Sequence, residues 1–177
     1  MELLRQLVRL APSNFDSKNH LLLLEKLMLL LQLKTAHDAG RYSEALALQE
    51  QIASRVEREE TKSSGKPGKN TAEALEELAS LALLAGEPKK ALAACDRLLV
   101  LLPGDPRANI NRAHALMYVD RTADARAAYE AHKADRLPDG KSWRQQVAED
   151  FVDLRKAGRE HPQMVVIEAA LGATEKP

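Results

Sequence analysis

The sequence predicts an all-α protein, a solenoid of stacked antiparallel helix hairpins closed by a C-terminal pair of capping helices. Three observations carry this. Aromatic residues are only 3% of the 177 residues while alanine and leucine abound, a composition of packed helices rather than of a β-sandwich. Two stretches, "ALEELASLALLAGEPKKALAACDRL" (Ala74 to Leu98) and "NINRAHALMYVDRTADARAAYEAH" (Asn109 to His132), repeat one pattern at a spacing of 34 residues when Gly86 is set on Asp120. Near the C-terminus, Trp143, Val147, Phe151 and Leu154 recur at the spacing of one helical face.

Taken in order, "ELLRQLVRLAPSN" (Glu2 to Asn14) reads as the second helix of a repeat without its first, or as an N-terminal cap, so 1–14 is set apart. Residues 16–60 form a divergent repeat with a long first helix, and "AHDAGRYSEALALQEQI" (Ala36 to Ile52) supplies its turn and second helix. The distance from Gly40 to Gly86 is 46 residues, 12 more than the period; "TKSSGKPGKN", residues 61–70, is assigned the excess as a flexible surface loop. Residues 71–105 are the next repeat, with Asn70 or Thr71 as N-cap and Glu73 closing a capping box. Residues 106–139 follow, opened by Asp105 and by Pro106, whose missing N–H is harmless in a first turn. Residues 141–172 are the capping helices, the first ending at Gly158, and 173–177 are a tail.

Setting Gly86 on Asp120 also sets Ala79 on Ala113, Ala82 on Leu116, Ala91 on Ala125 and Cys95 on Tyr129. Small residues there let two helices approach closely. Together with the turn Gly86 and the terminal Pro103, this pattern resembles the tetratricopeptide repeat. Asp120 at the turn and His132 at a usually small position depart from that pattern. From Tyr42 to Gly172 the chain is similar to tetratricopeptide-repeat regions of larger bacterial proteins, a resemblance that brings no established activity. It implies a protein-interaction scaffold; the single Cys95, which fits a reducing compartment, and the lack of an apparent secretory signal add the expectation that it is cytoplasmic.

Several function classes are disfavoured. Lys+Arg and Asp+Glu are equal at 26 each, which gives no global field towards nucleic acid. The apolar run "LLLLEKLMLLLQL" (Leu21 to Leu33) is shorter than the roughly 20 residues that span a bilayer and holds Glu25 and Lys26, so no membrane partner is expected. His20, His37, His114, His132 and His161 lack metal-ligand spacing, and Cys95 has no Cys or His at ligand distance. No Gly-x-Ser-x-Gly elbow is present, and "SSGKPGK" lacks the spacing of a phosphate loop. The expectation is a non-enzyme without metal or cofactor.

The resemblance implies a ligand lying along the first helices of the repeats. Its groove positions fall on Arg107, Asn111, His114 and Tyr118 of the later unit, with Ile110 and Met117 beside them. On the middle unit they fall on Glu73 and Glu77, with Glu76, Ser80 and Leu84. On the first they fall on Lys34, with Leu27, Leu30, Leu31 and His37. An asparagine there can bond both N–H and C=O of an extended peptide, and Arg107 can pair a carboxylate. The glutamates and leucines do not suit a basic carboxylate clamp for acidic chaperone tails. They suit a protein or peptide with a basic segment beside an apolar one. The alternatives are a regulatory or targeting arm of a larger enzyme, and a homo-oligomerisation scaffold, a homodimer joined through the apolar helix Leu21 to Leu33.

Overall fold

The computed structural model describes residues 17–172, with side chains from Leu23 onward; the expected helix at 1–14 and the tail at 173–177 lie outside the described residues. The described residues form eight helices: α1 (Ser17–Asp38), α2 (Tyr42–Ser64), α3 (Lys69–Ala85), α4 (Pro88–Leu101), α5 (Pro106–Tyr118), α6 (Thr122–His132), α7 (Trp143–Lys156) and α8 (Gln163–Leu171). From α1 to α6 each helix packs on the next, α3 also packs on α5, and α7 rests on both α3 and α5. No described helix is long and apolar enough to cross a membrane.

One turn geometry ends α1, α3 and α5. Gly40, Gly86 and Asp120 all take positive φ, at 67°, 78° and 61°. The following N–H reaches back five residues in each case: Arg41 to the Ala36 carbonyl (2.8 Å), Glu87 to Ala82 (2.8 Å) and Arg121 to Leu116 (3.0 Å). These bonds satisfy carbonyls that the ending helix would otherwise leave bare. Glycine meets that φ freely, whereas Asp120 pays a steric cost for its Cβ. Gly158, at φ 73°, serves α7 in the same way, with Arg159 N–H donating to Leu154.

The small residues sit where the helices touch. Ala79 and Ala113 are buried, as are Ala45, Ala91 and Ala125, which occupy one register of the second helices. The apolar face read for α7 is real: Trp143, Val147, Phe151 and Leu154 are all buried, and Ser142 with Gln145 closes a capping box at its start. Asp105 caps α5, its carboxylate accepting from Ala108 N–H at 2.8 Å, with Pro106 in the first turn.

Two expectations need correction. The loop assigned to 61–70 is only 65–68, because α2 continues to Ser64 and α3 begins at Lys69. Thr, Lys and Ser can extend a helix, and the Ser63 and Ser64 hydroxyls return to the Glu60 carbonyl; the chain breaks only at Gly65, at φ 80°. Nor is α3 capped by Asn70, Thr71 or Glu73. Its N-cap is Gly68, without a side-chain bond of its own. The carboxylate of Glu60, on α2, accepts instead from the N–H groups of Gly68, Asn70 and Thr71 and from the Thr71 hydroxyl. These donors hold the Glu60 carboxyl down at about 2, the Thr71 hydroxyl contributing most.

Candidate functional site

A cavity of about 130 Å³ opens between α3, α5 and α7. Glu76, Glu77 and Ser80 line it from α3, Arg107, Ile110 and Asn111 from α5, and Gln146 and Asp150 from α7. With Gly86 on Asp120, Glu76 corresponds to Ile110 and Glu77 to Asn111. The two units thus share two helical positions at this space, whereas His114 and Glu73, the equivalents of Ser80 and Arg107, are not in its lining.

The charge in this space is unbalanced. Arg107 stands 3.7 Å from Glu76 and closer, at 2.9 Å, to Asp139. Burial pushes the Glu76 carboxyl above its ordinary value; Arg107 opposes that shift, while Asp105, Glu77 and Glu73 reinforce it. The ion pair and the upward shift point in opposite directions for Glu76. Burial outweighs a guanidinium that is distant and shared with a second carboxylate.

Asp150 is held rigidly. Gln146 donates to its Oδ1 at 2.8 Å, and His114 Nε2 lies 3.2 Å from its Oδ2. His114 is itself fully buried, with Nδ1 2.6 Å from the Tyr129 hydroxyl. Burial keeps the Tyr129 phenol protonated well beyond its ordinary range. The phenol therefore donates to Nδ1, and the remaining ring proton on Nε2 donates to Asp150. The opposite tautomer would set a ring lone pair against a carboxylate oxygen. A carboxylate whose two oxygens are both bonded keeps its place without rearrangement.

The expected groove residues divide accordingly. Glu77, Arg107 and Asn111 come together at the cavity, joined by Glu76, Ser80 and Ile110. His114 is one layer behind and reaches the cavity through Asp150. Tyr118 is half-buried; its hydroxyl donates to the Arg159 carbonyl and its ring meets His161 edge-on. Met117 is core and Leu84 packs against the core. Glu73 is exposed and 3.5 Å from Lys69, outside the cavity lining. Lys34 is exposed on α1, 2.7 Å from Asp38, also outside the lining. Leu27, Leu30 and Leu31 are exposed.

Gln146 and Asp150 are the lining residues that the sequence reading missed. Asp150 carried a signal: it follows Trp143 by seven residues and Val147 by three, so a carboxylate lies on the apolar stripe of α7. A charge within a buried stripe calls for partners, and here these are Gln146 and His114.

Comparisons with family models, with curated proteins and with solved structures each returned no match.

Proposed function

We propose that this chain is a tetratricopeptide-like solenoid acting as a non-catalytic protein-interaction module, and that it binds a partner segment along its first helices. The single observation that carries the reading is the cavity, where equivalent positions of α3 and α5 converge with α7. A repeat array builds a continuous binding face in this way, each unit contributing the same register. The surrounding alanine contacts and the recurring turn are those expected of stacked hairpins.

The ligand that suits this cavity has a basic side chain. Glu76, Glu77 and Asp150 supply three carboxylates, whereas Arg107 is the cation lining it and is already engaged by Asp139. A lysine or arginine entering there relieves the repulsion that raises Glu76, and the prepositioned Asp150 needs no reordering. Asn111, beside them, suits the backbone of an extended segment.

The test is capture from a random peptide library displayed on phage, using the wild-type chain beside a Glu77→Gln/Asn111→Ala variant of unchanged helicity. Enrichment of peptides with Lys or Arg beside an apolar residue, lost in the variant, supports the reading. Equal capture by both proteins moves the site off this cavity, and absence of any enriched class removes the binding function proposed for it. His114 is a poor choice for this experiment, because its loss would also free the Tyr129 hydroxyl in the core.

A further inference from the structure

Helix α1 carries a second surface, of different chemistry. Leu23, Leu27, Leu30 and Leu31 are 52%, 52%, 41% and 65% exposed. Their spacing of i, i+4, i+7 and i+8 sets them on one stripe, with the partly exposed Met28 next to it. The other side of α1 faces inward: Ala36 is buried and Leu33 packs on the core. Among the described residues, the remaining exposed large apolar side chains, Val100, Leu102, Val152, Val165 and Val166, are spread over three other segments. A contiguous apolar stripe of this kind marks an interaction surface.

We propose that the stripe is the seam of a homodimer in which α1 pairs antiparallel with α1 of a second copy. This inference is independent of the ligand assigned to the acidic cavity. Direction decides between occupants. A segment lying across the first helices, as a groove ligand does, passes over α1 in about three extended residues, since neighbouring helices are about 9 Å apart. The stripe instead runs lengthwise, about 12 Å from Leu23 to Leu31, which fits a helix laid along it.

Charge selects the partner and its orientation. The four leucines carry no charge between them; the exposed Lys26 flanks them, and at the end of the stripe the Lys34 ammonium is held by Asp38 on the same helix. A surface without net charge along its length is complementary to itself. Parallel pairing would set Lys34 against Lys34, whereas a two-fold axis at Leu27 puts the two Lys34 positions about 21 Å apart along the seam. That axis, at the midpoint of the stripe, sets Leu27 against Leu27 and Leu23 against Leu31.

The experiment is sedimentation velocity of the full chain from about 1 to about 200 µM, the span over which small interfaces form. The expected mass rises with concentration from 19.6 kDa towards twice that value. A Leu27→Glu/Leu31→Glu variant, altered only at exposed positions, is expected to keep its helicity and stay monomeric. Under mild oxidation, Leu27→Cys is expected to cross-link with itself, whereas Leu31→Cys alone does so poorly and Leu23→Cys/Leu31→Cys restores the link. The native Cys95 does not compete, because it is buried and its thiol is pushed up to about 12. A wild-type monomer throughout the range overturns the proposal, as does a dimer that survives Leu27→Glu/Leu31→Glu. Equal self-linking of Leu31→Cys and Leu27→Cys overturns the antiparallel register. A monomer whose Leu27→Cys thiol resists a soluble maleimide also overturns it, and assigns the stripe to another segment of the same chain.

Discussion

The units α3–α4 and α5–α6 are two solutions to one packing problem. Inside, they agree: Ala79 and Ala113 are equally buried, as are Ala91 and Ala125. The turns between their helices share one hydrogen-bond pattern. At the surface facing the cavity they disagree, with Glu76 and Glu77 set against Ile110 and Asn111. The interior positions answer to the distance between helices, which tolerates few side chains. The cavity positions are not bound by that distance, and their chemistry is free to differ.

The largest effect should come from filling the shared interior. Ala113→Leu and Ala79→Leu each add three carbons where helices meet, and each is expected to cost about 3 kcal/mol. Urea denaturation followed by circular dichroism reads the loss as a lower midpoint. Similar costs in both units would support equal packing, while a tolerated leucine in either would break it.

The turns should separate the units more finely. Gly86→Ala meets two costs, the positive φ of 78° and a Cβ placed 2.7 Å from Arg159 Cζ. Arg159 can swing away only by giving up its bonds to the Leu84 and Ala85 carbonyls, at 3.0 and 2.9 Å. The expected loss is about 2 kcal/mol. Gly40→Ala meets open space at a similar φ of 67° and should lose only about 1 kcal/mol. Asp120→Gly should have the opposite sign, gaining about 0.5 kcal/mol by releasing the φ of 61°. A destabilised Asp120→Gly would mean that the aspartate side chain contributes more than its backbone costs.

Legibility in the sequence followed the range of the interaction. The turn at Gly86, the Asp105 cap and the apolar face of α7 are local, and spacing alone reveals them. The cap of α3 is not local. Glu60 precedes Thr71 by eleven residues, and nothing in "EETKSSGKPGKNT" states that its carboxylate folds back over Gly65–Gly68. The partner of Asp150 was hidden for the same reason, since His114 lies 36 residues away. Three of the expected cavity residues, Glu77, Arg107 and Asn111, were legible because the repeat fixes their register; Lys34 and Glu73 are exposed outside the lining, which α7 closes only over residues 76–80 of α3 and 107–111 of α5.

The distant cap has a pH signature. Because the Glu60 carboxyl titrates near 2 in the folded chain instead of 4.5, it stabilises the fold above about 4.5, and that contribution is lost as pH falls towards 2. Glu60→Gln is expected to lower Tm at pH 7 and to converge with wild type near pH 2. A pH-independent difference would assign the effect to packing instead of charge.

The last expected effect lies in the cavity, and it runs against stability. The folded chain holds the proton of Glu76 more tightly than the unfolded chain does. Stability due to this residue is therefore full below about 4.5 and declines as pH rises through the higher folded value. Glu76→Gln removes the decline. It should raise Tm at pH 7 and have little effect at pH 4. The same change should weaken capture of Lys- or Arg-containing peptides, because it removes the carboxylate that gains most from a cation. A more stable protein that binds less is the mark of a residue kept for its ligand. A destabilised Glu76→Gln would show that the pair with Arg107 outweighs burial after all, and Glu76 would then belong with the structural ion pairs.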